Sequence, residues 1–432
     1  MPSYGKWYNG ISLSRKIQNG FDDMQNCDVH SDIGSLKCQK KLEEESGGLV
    51  DEPCYIVVVP SGDSYLFSKT SGKIWRRTAA GGYNAIRVNS NGAHKGCGYY
   101  DVTGKVYYAT DAHLGVFDLV NTYNDNYQVL TAGVPHPIFQ FDLILYIGNG
   151  KDLAQLDDAE VFSSSALDLQ PAQKITDLIN LGDDLLTLSN PGNYLGNATI
   201  TRWNTYSDSW TINDQIREVD AYAFLDADNY VYVITKSGNV YLYNGSQLEI
   251  FSLIRNAATT TGHQLTTNFQ GKPLIANGGR IYSLHRANRN LPFALVGEYT
   301  CSAGASATIH SIRANGSTLL VSWEYNGDCG IDVISDEYAA ASVVTPRFKK
   351  NGVVKVKYDD LNDGTISIYH KLDGESSWTL HSVVDDAEDM RMVRTVDDIL
   401  VPSGAQAKVV ITPSVSSPTT TPIIDSIDIE QS

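Results

Sequence analysis

The stretch at 226–247, DADNYVYVITKSGNVYLYNGSQ, constrains the fold more than any other part of the chain. Tyr230, Tyr232 and Ile234 alternate with Val231, Val233 and Thr235, the two-residue period of a pleated strand. Ser237-Gly238-Asn239 supplies residues that tolerate the positive φ of a tight hairpin. Val240-Tyr241-Leu242-Tyr243 then returns, and Asn244-Gly245 ends the second strand. A chain that repeats this grammar is committed to antiparallel sheet, so repetition is the first thing to look for.

The grammar does repeat. Short apolar or aromatic runs are divided by turns at Ser61-Gly62-Asp63, Thr103-Gly104, Gly148-Asn149-Gly150, Gly182-Asp183, Gln270-Gly271 and Asn315-Gly316. With the opening stretch this makes seven units, six and eight being the neighbouring counts. Between Gly62 and Gly316 the step averages about 42 residues, the length of a four-stranded propeller blade. Runs at 85–88, 127–130, 248–254 and 293–298 fall between hairpins and are expected as outermost strands. One such sheet cannot bury both faces alone, so the units are expected to stack side by side and close.

Composition agrees with an all-β reading. The 432 residues include 25 Tyr and 36 Gly, and 42% of the chain is hydrophobic, which rules out wholesale disorder. Around Ser342 the spacing changes. Runs at 353–358, 365–371, 378–384, 407–411 and 423–429, with turns at Asn362-Asp363-Gly364 and Asp373-Gly374, fit a small β-sandwich. The expected organisation is an N-terminal arm at 1–50, a β-propeller at 51–342 and a C-terminal β-sandwich at 343–432. In the arm, KCQKKLEEES at 37–46 reads as a solvated loop or short helix end, or as part of an extended segment lying on a neighbour.

The formal net charge of -17 argues against a general nucleic-acid binder and against attachment to anionic membranes. No apolar run is long enough to span a bilayer, and MPSYGKWYNGISLSRK lacks the apolar core of a secretory signal. The six cysteines form no CxxC pair and have no histidine at zinc-ligand spacing, so they read as buried thiols; Cys301 and Cys329 sit in adjacent units, without grounds for a disulfide.

Three separated stretches together resemble tailed-bacteriophage virion proteins. NGISLSRKIQNGFDDMQNCDVHSDIGSLKCQK resembles their opening phrase, with Asn26, Asp28, Val29, Gly34 and Leu36 in the patterned places. The middle resembles the β-propeller of tail-nozzle and related neck or tail proteins. ISIYHKLDGESSWTLHSVV, followed by TPIIDSIDIE, resembles the small sandwich that closes many phage tail proteins. The resemblance implies a non-enzymatic structural component of the virion, made in the host cytoplasm and built into a homo-oligomeric ring or tip with other virion proteins.

Chemistry-bearing motifs are sparse. Ser68-x-Thr70-x-Gly72-x-x-Trp75 resembles the Asp-box turn of sialidase-type propellers, with Thr70 where the Asp belongs. Paired carboxylates such as Asp157-Asp158 and Asp183-Asp184 sit beside turns, where Asp caps backbone. GNGKD at 148–152 lacks the phosphate-loop spacing, and no GxSxG or HExxH is present. The acidic clusters Asp22-Asp23 and 385–389 do not follow a calcium loop, and His94, His113, His136, His263, His285 and His310 are dispersed. No catalytic residue, cofactor or metal is therefore expected. The candidate partner contacts are aromatic: Trp7, Tyr8 and Phe21 in the arm, Tyr123 and Tyr127 in NTYNDNY, and Tyr206 and Trp210 in YSDSW. The alternatives are a tail protein that holds a host receptor or glycan on its loops, and a propeller glycosidase.

Overall fold

The computed structural model describes residues 21–29, 35–192, 196–207, 209–227, 230–254, 262–285, 294–348, 352–358, 361–385 and 403–431. Every regular element among them is a strand. Seven four-stranded antiparallel sheets follow one another along the chain, and their first strands are Cys54–Val58, Gly96–Tyr100, Ile138–Phe141, Gln173–Leu181, Ala221–Ala227, Thr266–Phe269 and Thr308–Asn315. They are called blades one to seven below.

Strand alternation explains why blades stack. In blade one, Tyr55, Val57, Tyr65 and Phe67 pack with Val106 and Tyr108 of blade two. The intervening residues Cys54, Ile56 and Leu66 turn the other way and pack with Leu320 and Ile331 of blade seven. Both faces of one sheet are thus core, and the ring of contacts closes from the seventh blade to the first. The hairpin at 230–243 behaves the same way. Val231, Val233, Tyr241 and Tyr243 pack with Leu186 and Ile200 of blade four, while Tyr232, Ile234 and Val240 are buried on the opposite face. Each fully buried large side chain contributes about 1.5–3 kcal/mol, so stacking supplies what a lone sheet lacks.

Polar bonds join neighbouring first strands. The Ser311 hydroxyl donates to Cys54 O at 2.6 Å and Arg313 Nη1 donates to Thr266 O at 3.1 Å. Thr266 Oγ1 donates to Phe224 O, and Phe224 N donates to Asp177 Oδ2 at 2.7 Å.

The fourth strand of blade seven is Lys40–Glu44, from near the start of the chain. It pairs with Asp328–Tyr338; Lys40 meets Asp336 at 3.0 Å, and Glu45 N donates to Ile331 O at 2.8 Å. The charged run expected as loop or helix end is therefore strand. Only Leu42 of its five residues is buried, so the alternation that would mark a strand is hidden under Lys and Glu, the residues that blunt an outer edge.

By contact density the chain divides into two compact units, 44–279 with 303–333, and 1–43 with 280–302 and 334–432. The second contains a five-stranded sheet in the order Asp23–Gln25, Ala341–Val344, Gln406–Thr412, Thr365–Lys371, Thr379–Val384, and a two-stranded pair, Gly352–Tyr358 with Ile424–Gln431. Two expected turns are in place, with left-handed φ at Asn362 (48°) and Asp363 (60°) in one and at Gly374 (85°) in the other. Within this unit the N-terminal segment is woven in rather than free. Met24 pairs with Val343, Cys27–Asp28 pairs with Lys37–Cys38, and Leu36 exchanges backbone bonds of 2.8 and 3.0 Å with Ile424.

Candidate functional site

Chain entry into each blade brings the residues just before and within the first strands together around the propeller axis. A cavity of about 560 Å³ opens there, in the size range of small-molecule sites. Its wall includes Tyr55, Lys95, Lys174, Tyr222, Lys236 and His263. Gly262 and His263 also line it, and Gln264 follows them. Gln264 holds a positive φ of 73°, and its Oε1 accepts from Ile56 N of blade one at 2.9 Å. Its carbonyl accepts from Ile312 N of blade seven at 2.8 Å. One residue at the entry to blade six thus reaches two other blades.

The wall is cationic although the chain is acidic. Lys236 lies 3.5 Å from Asp220, and among the described residues Lys174 Nζ reaches only the carbonyl of Gly133 at 3.5 Å. Lys95 has no carboxylate partner among the described residues. Behind Tyr55, Lys69 Nζ sits 4.6 Å from the ring centroid, and desolvation pulls its ammonium down to about 8. His263 stacks on the same ring at 4.7 Å, and its Nε2 has no hydrogen-bond partner among the described residues. Burial holds this imidazole well below its ordinary value, with the charges of Lys69, Arg313 and His136 adding to the effect. A neutral imidazole and an array of ammonium groups can hold an anion; one wall carboxylate, Asp220, is not the carboxylate pair of a glycosidase.

The aromatic candidates are not brought together. Trp7 and Tyr8 lie outside the described residues. Phe21 is fully buried, so its ring is not offered to a partner in this conformation. Tyr123 and Tyr127 belong not to a loop but to the outer strand of blade two, Tyr123–Val129. Tyr123 stacks on Phe117 at 4.2 Å with the Arg87 guanidinium over it, and the Tyr127 hydroxyl donates to Glu160 O at 3.1 Å. The polar NTYNDNY forms a strand because Asp125 turns inward to accept from the Tyr108 hydroxyl and pairs with Arg87. Tyr206 and Trp210 stand in the turn between the last two strands of blade four. Tyr206 is 88% exposed, whereas Trp210 packs against Leu169 and Trp203.

The other motifs resolve into architecture. At the Asp-box-like turn, Glu52 supplies the missing carboxylate, accepting from Ser68, from Thr70 at 2.9 Å and from Ser71 at 2.6 Å. Desolvation pushes this carboxyl up, but bonds from Ser68, Ser71, Lys73 and Thr70 outweigh it and hold it at about 2. Asp157 caps a turn by accepting from Ala159 N at 3.0 Å and Val161 N at 2.8 Å. The cysteines are all free thiols, Cys301 and Cys329 included. No group of three His, Cys, Asp or Glu among the described residues is placed to hold a metal. The lysines of the cavity escape a linear reading because their nearness to the axis exists only once the ring closes.

No protein-family model and no curated protein matches the sequence. Solved structures do match in shape. Streptogramin B lyase aligns with a TM-score of 0.53 at 10% identity, covering 68% of this chain and 97% of that one. A catalytically inactive virginiamycin B lyase from Staphylococcus aureus, solved with quinupristin, gives 0.53 at 14% identity, covering 68% and 99%. The extracellular domain of a putative hybrid two-component system from B. thetaiotaomicron gives 0.51 at 13% identity, covering 76% of this chain but 45% of its own. At these identities the likeness shows the propeller fold alone.

Proposed function

We propose that this chain is a non-enzymatic structural component of a tailed-phage virion, a platform in the tail, neck or nozzle region that assembles with copies of itself and with other virion proteins. One observation carries the reading: the phage-like opening phrase is used as a fastener. Asn26 Nδ2 donates to Ala340 O at 3.0 Å, Val29 and Leu36 are buried, and Leu36 is bonded to Ile424 in the last strand. The described parts of the phrase, from residues 21–29 and from 35 onward, thus pack with the sandwich-like ending, so two of the three stretches that carry the resemblance meet. That supports a shared architectural role.

The net charge of -17 suits a surface that repels DNA passing nearby. The lyase likeness is one of fold, and a lysine-lined cavity with a single wall carboxylate gives no reason to carry that activity across. Immunogold labelling of intact particles tests the proposal, with gold expected at one fixed position on the tail or neck. Labelling nowhere on the particle ends it. Light scattering of the purified protein is expected to report an oligomer.

A further inference from the structure

We propose that the axial cavity binds a small organic anion, a carboxylate or a phosphate, between Lys95 and Lys174, with His263 Nε2 as a further polar contact. The inference is independent of the virion reading. It rests on cavity size, sign of charge and unmet bonding capacity.

The volume of about 560 Å³ suits a molecule of roughly ten to twenty heavy atoms rather than a folded partner. Four lysines, Lys69, Lys95, Lys174 and Lys236, stand in or behind the wall against one carboxylate, Asp220, which Lys236 meets. That is a local excess of positive charge in a chain whose formal charge is -17. Lys69 stands over the Tyr55 ring, with the side chains of Cys54, Cys97 and Lys95 near enough to act on its charge. Cations held close together without counter-charge repel one another. Burial is the main cause of the lowered Lys69 ammonium and of the strongly lowered His263 imidazole, and repulsion from Lys95 on the first and from Lys69 on the second adds to it. An anion among them relieves it and gives His263 Nε2 the partner it lacks. Tyr55, Tyr222 and Pro191 supply the apolar wall against which a carbon skeleton packs. Partial enclosure makes each charge-assisted bond worth more than in open water.

The experiment uses the full chain and three probes: citrate, inorganic phosphate and neutral glucose, each against sodium chloride at matched ionic strength. Calorimetric titration and thermal unfolding are read together. Citrate or phosphate is expected to bind and to raise Tm by about 2 °C at about 100-fold over Kd, with glucose silent. Whichever anion binds more tightly assigns the ligand to carboxylates or to phosphates. The double variant Lys95→Gln, Lys174→Gln is expected to lose at least about tenfold in affinity with its ligand-free Tm no lower than that of the wild type. If that variant fails to fold, reductive methylation of the wild-type chain followed by mass spectrometry replaces it, and bound anion is expected to protect Lys95 and Lys174. No binding of either anion, binding that the double variant retains in full, or equal labelling with and without anion overturns the proposal.

Discussion

Arg77 grips Glu45 at two points: Nε lies 2.6 Å from Oε2 and Nη2 lies 2.8 Å from Oε1. The pair joins the third strand of blade one to the residue that follows the closing strand of blade seven. The Tyr83 hydroxyl donates a third bond to the same carboxylate at 2.7 Å. Arg77 is almost wholly buried, so the geometry is fixed and solvent screens it little. Replacing Arg77 with Ala leaves a carboxylate with one donor. The expected cost is about 3 kcal/mol, read as a lower urea midpoint by tryptophan fluorescence. Arg77→Lys keeps the charge but loses the two-point fit, so about 1 kcal/mol is expected. Equal midpoints for wild type and Arg77→Ala would show that the clamp contributes nothing.

Asp177 makes stability fall as pH rises. Its carboxyl accepts from Leu178 N at 2.9 Å and from Phe224 N at 2.7 Å, but burial dominates and pushes it from 3.8 to about 7. The folded chain therefore binds this proton more tightly than the unfolded chain does. The contribution is full below about pH 4 and is lost progressively as pH climbs to about 7. Asp177→Asn cannot titrate. Relative to that variant, the wild type is expected to lose roughly 4 kcal/mol between pH 4 and pH 8. Other titrating groups cancel in the difference. Parallel profiles of unfolding free energy against pH would refute it.

The regular part of the fold was legible because both faces of each blade are core. Val231 and Val233 face blade four while Tyr232 and Ile234 face the other way, so the hairpin is apolar at every step and Gly238, at φ 88°, marks its turn. The closing strand was not legible. Its partner is nearly three hundred residues away, and Leu42 alone faces inward. The candidate site was the least legible part. Lys95, Lys174 and Lys236 look like ordinary surface lysines until closure turns two chain entries and one hairpin turn, from three separate blades, toward one axis. The surroundings of the aromatic candidates were hidden for a related reason. Phe21, Tyr123 and Trp210 sit among polar residues in sequence but pack inward in space.

Close approach of first strands at the axis sets a steric limit that Gly96 meets. A Cβ built there would lie 1.8 Å from His136 O, a backbone atom that cannot swing aside. That carbonyl belongs to the segment entering blade three, which also donates from His136 N to Lys95 O at 3.3 Å. Gly96→Ala must push blades two and three apart, at an expected cost above about 3 kcal/mol. Gly92→Ala has open space around it and changes only a left-handed turn residue, so about 1 kcal/mol is expected. Thermal unfolding of the two variants side by side checks the contrast. A Gly96→Ala protein as stable as the wild type would mean that the blades are free to separate.

Closure by a strand from the chain's beginning makes the propeller depend on residues outside its repeats. Without Lys40–Glu44, the eleven-residue strand Asp328–Tyr338 becomes an edge with open backbone donors and acceptors. Such an edge recruits other strands, and closing the ring without that pairing forfeits the bonds that offset its loop entropy. Deleting 1–44 is therefore expected to leave a chain that aggregates at concentrations where the full chain stays dispersed, with a lower Tm. Because the deletion also removes Asp23–Gln25 from the five-stranded sheet, a narrower variant separates the two effects. Leu42→Asp places a charge at the one buried position of the closing strand and leaves the other sheet untouched. It is expected to cost about 3 kcal/mol or more and to speed hydrogen exchange along Asp328–Tyr338 first. Protection that falls in the other sheets before it falls there would mean that the ring is held shut by blade stacking alone.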